Sequence, residues 1–144
     1  MLPTALIAAA LRGVDPAGWR IKEATRLGST LHLKARIDLE HTDAYHLGRI
    51  DYLPCTEVLT ACGQAGQLFL AIHESGAMPV GTPSPAYLME YTVRFRSKHP
   101  PTDYPLEVRL IGTRRRGPMR LGSFAFRVAD HIRGTFIACT LVTP

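Results

Sequence analysis

The sequence predicts a single α+β domain in which one antiparallel sheet curves around a long central helix. Three observations predict it. Residues 55–74 lack β-alternation, are long enough for about five turns of helix, and are small in the middle, at Ala61, Cys62, Gly63, Ala65 and Gly66. Strand-like runs precede this stretch twice and follow it four times. The 144 residues contain no repeat, low-complexity tract or linker, so residues 1–144 read as one domain of ordinary size.

The elements follow in order. Residues 4–12 (TALIAAALR) are helix formers, with Thr4 able to cap the start and Gly13 and Pro16 ending the segment. Residues 19–27 alternate and lead into a Gly28-Ser29 turn. Residues 30–39 place Leu31, Leu33, Ala35, Ile37 and Leu39 on one face and His32, Lys34, Arg36 and Asp38 on the other, a strand with one wet face. Residues 40–54 are polar and irregular.

The central helix runs from about Cys55 to Glu74, with Pro54 at its start, Glu57 in its first turn and Gly76 past its end. Its two glycines cost roughly 1 kcal/mol each against alanine, which close packing against a wrapped sheet would offset. Leu59, Cys62, Phe69 and Leu70 mark the side expected to be buried. After a Gly- and Pro-rich loop come strands at 86–98, 104–113, 119–129 and 132–143, separated by HPPTD, RRRGP and a corner at His131. This order of elements looks like the hotdog fold. A ferredoxin-like fold would want a second helix between the later strands, and a cystatin-like sandwich is the other alternative.

Composition excludes several classes. Apolar residues make up 46% and charged residues 20%, as in ordinary soluble globular chains. The apolar run Leu2–Leu11 is too short to span a bilayer, lacks a basic leader and is followed at once by Arg12, so no secretory signal is expected. Three cysteines without a CxxC pair (Cys55, Cys62, Cys139) argue against a disulfide framework and a zinc site. A reducing cytoplasm is the default compartment. No metal-ligand spacing and no GxSxG elbow is present, so neither a metal nor a cofactor is expected. Cys62 and Cys139 read as packing thiols. The net charge of +5 sits wholly in the second half, where ten Lys/Arg face five Asp/Glu, including Arg114-Arg115-Arg116. This bias suits a phosphorylated or acidic partner, and no recognised nucleic-acid motif accompanies it.

At His46 the chain reaches a motif. His46, Pro54 and Gln64 match the active-site spacing of beta-hydroxyacyl-ACP dehydratases, which the segment resembles; Thr60 stands where that family carries its acid, and Glu57 lies one turn earlier. The whole chain is similar to the FcoT-like long-chain acyl-CoA thioesterases of actinobacteria. The likeness rests on the leading helix, the Ala44-Tyr45 pair, Glu57 with Gln64, and the strand segment Arg94-Phe95-Arg96. Of that family's catalytic positions, a loop Tyr falls on His46 or its neighbour Tyr45, a helix Asn on Gly63 and a later helix Tyr on Gln67. The resemblance implies a dimer that acts on an acyl-CoA or acyl-carrier-protein thioester in lipid or polyketide-type metabolism, with its site between subunits.

Glu57, Thr60, Ala61 and Gln64 share one helix face. Glu57 reads either as the base that activates water or as a first-turn carboxylate favoured by the helix dipole. Gln64 orients the acyl carbonyl or bridges helices. Thr60 holds a water or bonds back to its own helix. His46 shuttles a proton or hydrogen-bonds its own loop. Tyr45, Asp51, Tyr52 and Gly63 complete the candidate surface, and the first N–H groups of the helix would serve as an oxyanion hole. Arg94, Arg96, Arg109, Arg114, Arg115, Arg116 and Arg120 read as a landing patch for phosphates or an acidic carrier, or as charge that blocks edge-to-edge pairing. Hydrolysis of a thioester is the leading expectation. Dehydration or isomerisation of a carrier-bound hydroxyacyl chain is the alternative, and a non-catalytic carrier-binding partner is the third.

Overall fold

The computed structural model describes residues 1–37, 51–75 and 87–141. Helix α1 (Thr4–Ala10) leads through a 3-10 turn (Pro16–Gly18) into strands β1 (Ile21–Leu27) and β2 (Thr30–Ala35). Helix α2 (Cys55–Ser75) follows, then β3 (Tyr87–Phe95), β4 (Tyr104–Arg116), β5 (Met119–Val128) and β6 (Ile132–Leu141). Among the described residues all strand pairs are antiparallel and form one sheet in the order β1-β2-β4-β5-β6-β3, with β1 and β3 at its edges.

The expected element order holds throughout, with two local corrections. Thr4 does not cap α1: Pro3 precedes the helix, no side chain caps it, and the Pro3 carbonyl accepts from Leu6 and Ile7. The Arg114–Arg116 run is strand rather than separator. It pairs with Arg120, Leu121 and Met119 of β5, and the turn falls at Gly117, whose φ of 61° a residue with a Cβ rarely adopts.

The core lies between α2 and one face of the sheet. Leu31, Leu33, Leu106, Val108, Phe124, Phe126 and Phe136 point inward from the strands and are buried. Phe124 stacks on Phe136 with ring centres 4.9 Å apart, and Phe69 of α2 tilts onto Phe124 at 5.7 Å. From Ala61 to Leu70 the helix is buried at every residue except Gly63, as expected for a helix enclosed by a sheet rather than laid on a surface. Leu59, placed on the buried side from sequence, is only half-buried. Gly66 explains the small middle of the helix. A Cβ there would stand 3.0 Å from Ala138 Cβ and 3.1 Å from the Phe136 ring, so its absence lets helix and sheet close up. Gly63 shows no such role: among the described residues a Cβ there would meet only Leu88, at 3.8 Å.

Candidate functional site at the start of the central helix

The chain enters α2 through Leu53 and Pro54, both buried. The Leu53 N–H donates to the His99 carbonyl (2.7 Å), and the Pro54 carbonyl accepts from Glu57 (3.1 Å), which closes the first turn. Asp51 is exposed and pairs with exposed Lys98 at 3.2 Å, an arrangement that contributes little. Half-buried Tyr52 lines a hollow of 420 Å³ with Leu53, Phe95, Arg96 and Lys98.

Glu57 is buried, 3% exposed, and Arg20 holds its carboxylate. Arg20 Nε donates to Oε2 at 2.7 Å and Nη2 to Oε1 at 3.4 Å, while Nη1 donates to the Gly18 carbonyl at 2.9 Å. Gln64 uses both ends of its amide on the same segment: Oε1 accepts from the Arg20 N–H (2.7 Å) and Nε2 donates to Gly18 O (2.7 Å). Gln67 donates to Ala10 O at 2.8 Å. Three polar side chains on α2 thus fasten the helix to the chain from the end of α1 to the start of β1. Buried polar groups need such partners. Thr60 is exposed and its hydroxyl donates back to Thr56 O (2.9 Å). Tyr45 and His46 lie outside the described residues.

A half-buried stripe of α2, at Cys55, Leu59 and Gly63, runs beside strand β3. Leu88 meets Gly63 and Tyr91 meets Cys55 from β3, and both are partly buried, as is Val93 on the same strand. The Tyr91 ring stacks on Phe126 (centres 5.6 Å apart, 7° between planes), and its hydroxyl lies 4.0 Å from Cys55 Sγ. Burial, with the neighbouring Cys62 and Cys55 thiols, pushes the Tyr91 phenol well above its ordinary range. It therefore stays protonated at neutral pH and can donate a hydrogen bond. Burial likewise raises the Cys62 thiol, which suits packing rather than nucleophilic attack.

The arginines divide. Arg96 joins the hollow at the helix start, and Arg94 lies exposed on the outer face of the sheet. Arg114, Arg115 and Arg116 sit on the β4–β5 hairpin, exposed. The neighbouring Arg120 reaches back to Leu70 O (3.3 Å), about 20 Å along the helix axis from Glu57. The hairpin run and the helix start therefore do not form one site.

Arg20, Tyr91 and Tyr104 belong to this region and were not singled out from sequence. Tyr104 is buried, and its hydroxyl donates to Glu57 O at 3.4 Å. A carboxylate on a helix otherwise buried demands a cation, but the spacing within the chain does not say which.

No protein-family profile matches this sequence, and no curated protein matches it. Solved structures do. The chain superposes on the dehydratase heterocomplex of Xenorhabdus doucetiae with a TM-score of 0.61 at 10% identity, over 96% of this chain and 91% of that one. This is a hotdog fold. The same overlap is found with a hypothetical thioesterase of Streptococcus pneumoniae TIGR4 crystallised with coenzyme A (TM-score 0.54, 7% identity, 94% and 99% covered). A thioesterase family protein of Silicibacter pomeroyi gives a TM-score of 0.52 at 15% identity, with 95% and 99% covered. At these identities the hotdog likeness speaks for the fold. Among the described residues no group of three or more His, Cys, Asp or Glu could hold a metal, and no helix is long and apolar enough to cross a membrane.

Proposed function

We propose that this hotdog protein is a thioester hydrolase of acyl-CoA or acyl-carrier-protein substrates, kin to the FcoT-like thioesterases, and that it works in the cytoplasm as a dimer. The observation that carries the reading is the half-buried seam where the Cys55–Leu59–Gly63 stripe meets Leu88 and Tyr91 of β3, on the helix whose entry through Tyr52 and Leu53 lines a hollow of 420 Å³. An acyl chain laid in the seam would bring its thioester carbonyl to the first N–H groups of α2. Those groups, together with the Tyr91 hydroxyl, would stabilise the oxyanion formed by attacking water. His46 would take the proton from that water. Glu57 and Gln64, held by Arg20 and Gly18, would fix the helix start, and Thr60 would border the water site. Arg96 and Tyr52, with Asp51 and Tyr45, would bound the mouth.

The β3 edge supports the dimer. Tyr87, Met89 and Phe95 are 57%, 58% and 49% exposed on a nine-residue strand that pairs on one side only among the described residues. A second copy paired there would extend the sheet and roof the seam. Free-thiol release from a panel of acyl-CoAs and acyl carrier proteins tests the activity. Turnover should fall at least tenfold in His46→Ala and in Tyr91→Phe. No turnover on any substrate, or full activity in both variants, overturns the hydrolase reading.

A second reading has its own support. Glu57 and Gln64 are engaged in internal bonds and Thr60 bonds its own helix, as expected of a non-catalytic hotdog partner that binds an acyl carrier beside an active subunit. Carrier binding without thiol release would favour it. Loss of water from a hydroxyacyl carrier, seen by mass without thiol release, would favour the dehydratase alternative.

A further inference from the structure

The outer face of the sheet, turned away from α2, carries a charge arrangement that the fold alone does not require. One cross-strand row runs His32, Glu107, Arg127, Arg133, Arg94 over β2, β4, β5, β6 and β3. Three arginines thus stand on three adjacent strands, spaced about 4.8 Å per strand. Like charges directly opposite each other destabilise a sheet. Glu107 stands second in the row, between His32 and Arg127, and pairs with Arg127. Among the described residues Arg94, Arg133 and, in the next row, Arg109 have no carboxylate partner.

The next row is small. Arg109 pairs with Ala125, which pairs with Thr135, which pairs with Thr92. Between the arginines this leaves a hollow of 530 Å³, open to solvent. That volume falls within the roughly 300–1,000 Å³ of small-ligand sites.

From this geometry we infer a second ligand site, on the convex face, for a nucleoside diphosphate. Guanidinium groups grip phosphate oxygens bidentately, and the threonine hydroxyls add donors. The Cα atoms of Arg109 and Arg133 lie two strands and two residues apart, roughly 12 Å on the diagonal. A single phosphate meets one or two of the three free guanidiniums, whereas two linked phosphates reach all three. The nucleoside lies over the arginine stems and the row of small residues, where guanidinium planes stack on a base. Bound phosphate removes the repulsion that the bare row leaves standing. The site lies across the sheet from the seam and stands whether or not the thioester reading holds.

Titration of the full-length protein with fluorescent N-methylanthraniloyl-ADP tests the inference. Saturable one-to-one binding is expected, displaced by ADP and not by adenosine. Arg109→Gln and Arg133→Gln should each weaken it at least tenfold, and Arg115→Gln on the hairpin should leave it unchanged. The Arg133→Gln protein should melt no lower than the parent, because it loses a repulsion. Displacement by coenzyme A at lower concentration than by ADP assigns the diphosphate to that coenzyme, and the reverse order assigns it to a free nucleotide. Absence of saturable binding, or unchanged binding in the Arg109→Gln/Arg133→Gln double variant, overturns the site.

Discussion

Replacing Glu57 by Gln keeps the side chain's shape and removes its charge. Arg20 then remains 6% exposed with its Nε and Nη2 facing a neutral amide. Breaking one side of a buried ion pair costs about 3–5 kcal/mol, because the remaining charge stays desolvated. For a chain of this size each kcal/mol moves the thermal midpoint by about 3 °C, so a fall of roughly 10–15 °C follows. Adding Arg20→Met should restore most of that loss, since a buried pair replaced by apolar groups is often neutral or better. The Gly18 carbonyl remains satisfied through Gln64, and Gln64 Oε1 keeps the Arg20 backbone N–H. The assay is thermal and urea unfolding of parent, both single variants and the double, at one protein concentration so that any association is held constant. If Glu57→Gln melts within 1 °C of the parent while thiol release collapses, Glu57 acts on substrate and the anchoring argument fails. If the double variant is no more stable than Glu57→Gln alone, the pair is not the source of the loss.

Three further outcomes are expected. Gly66→Ala should destabilise by about 1–3 kcal/mol through overpacking against Ala138 and Phe136, whereas Gly63→Ala should stabilise by about 0.5–1 kcal/mol through helix propensity and slow turnover by narrowing the seam; chemical denaturation beside a thioesterase assay separates the two. Met89→Lys with Phe95→Lys should shift the sedimentation mass from dimer to monomer if β3 is the mating edge, and an unchanged dimer mass places the contact elsewhere. Asp103 lies below the ordinary carboxylate range, chiefly through its hydrogen bond from Lys22; burial opposes this, and the Ile37 N–H adds to the lowering. A depressed carboxylate adds stability above its unfolded pKa of about 3.9 and loses it as pH falls through the folded value. NMR titration should therefore place Asp103 below that value in the parent and closer to it in Lys22→Ala.

The framework was legible because its signals are local. Period-two alternation gave β2 its inward Leu31, Leu33 and Ala35, and the run of small residues marked the helix that the sheet encloses. Loop chemistry misled at Arg114–Arg116, where charge resembles a turn. The turn was set instead by Gly117, and the arginines extend β4 with their side chains in water. The site was less legible because its partners are distant in sequence. Glu57 and Gln64 each read as a catalytic group or an anchor, and only the fold reveals Arg20 and Gly18, 37 and 46 residues away, against them. Tyr91 escaped notice because a tyrosine in a strand is ordinary, and its character comes from a strand edge that leaves it beside Cys55.

The polar residues of α2 and its half-buried stripe divide the helix into two jobs. On one side Glu57, Gln64 and Gln67 spend their hydrogen bonds on the segment between Ala10 and Arg20. On the other, Cys55, Leu59 and Gly63 offer little that bonds and lie half-buried beside β3. A helix start used as an oxyanion site has to be held still, since its donors act only within a few tenths of an ångström of the right place. The Arg20–Glu57 pair and the two hydrogen bonds of Gln64 would supply that rigidity from the far face, without a side chain on the substrate. Disrupting that face should therefore slow turnover by moving the helix start even where the chain stays folded. Gln64→Glu tests this most sharply: its carboxylate faces the Gly18 carbonyl where an amide donated before. Turnover should fall with KM little changed, and crystallographic displacement of residues 54–57 should accompany it. A fall in turnover with that turn unmoved would return Gln64 to a direct role on the thioester.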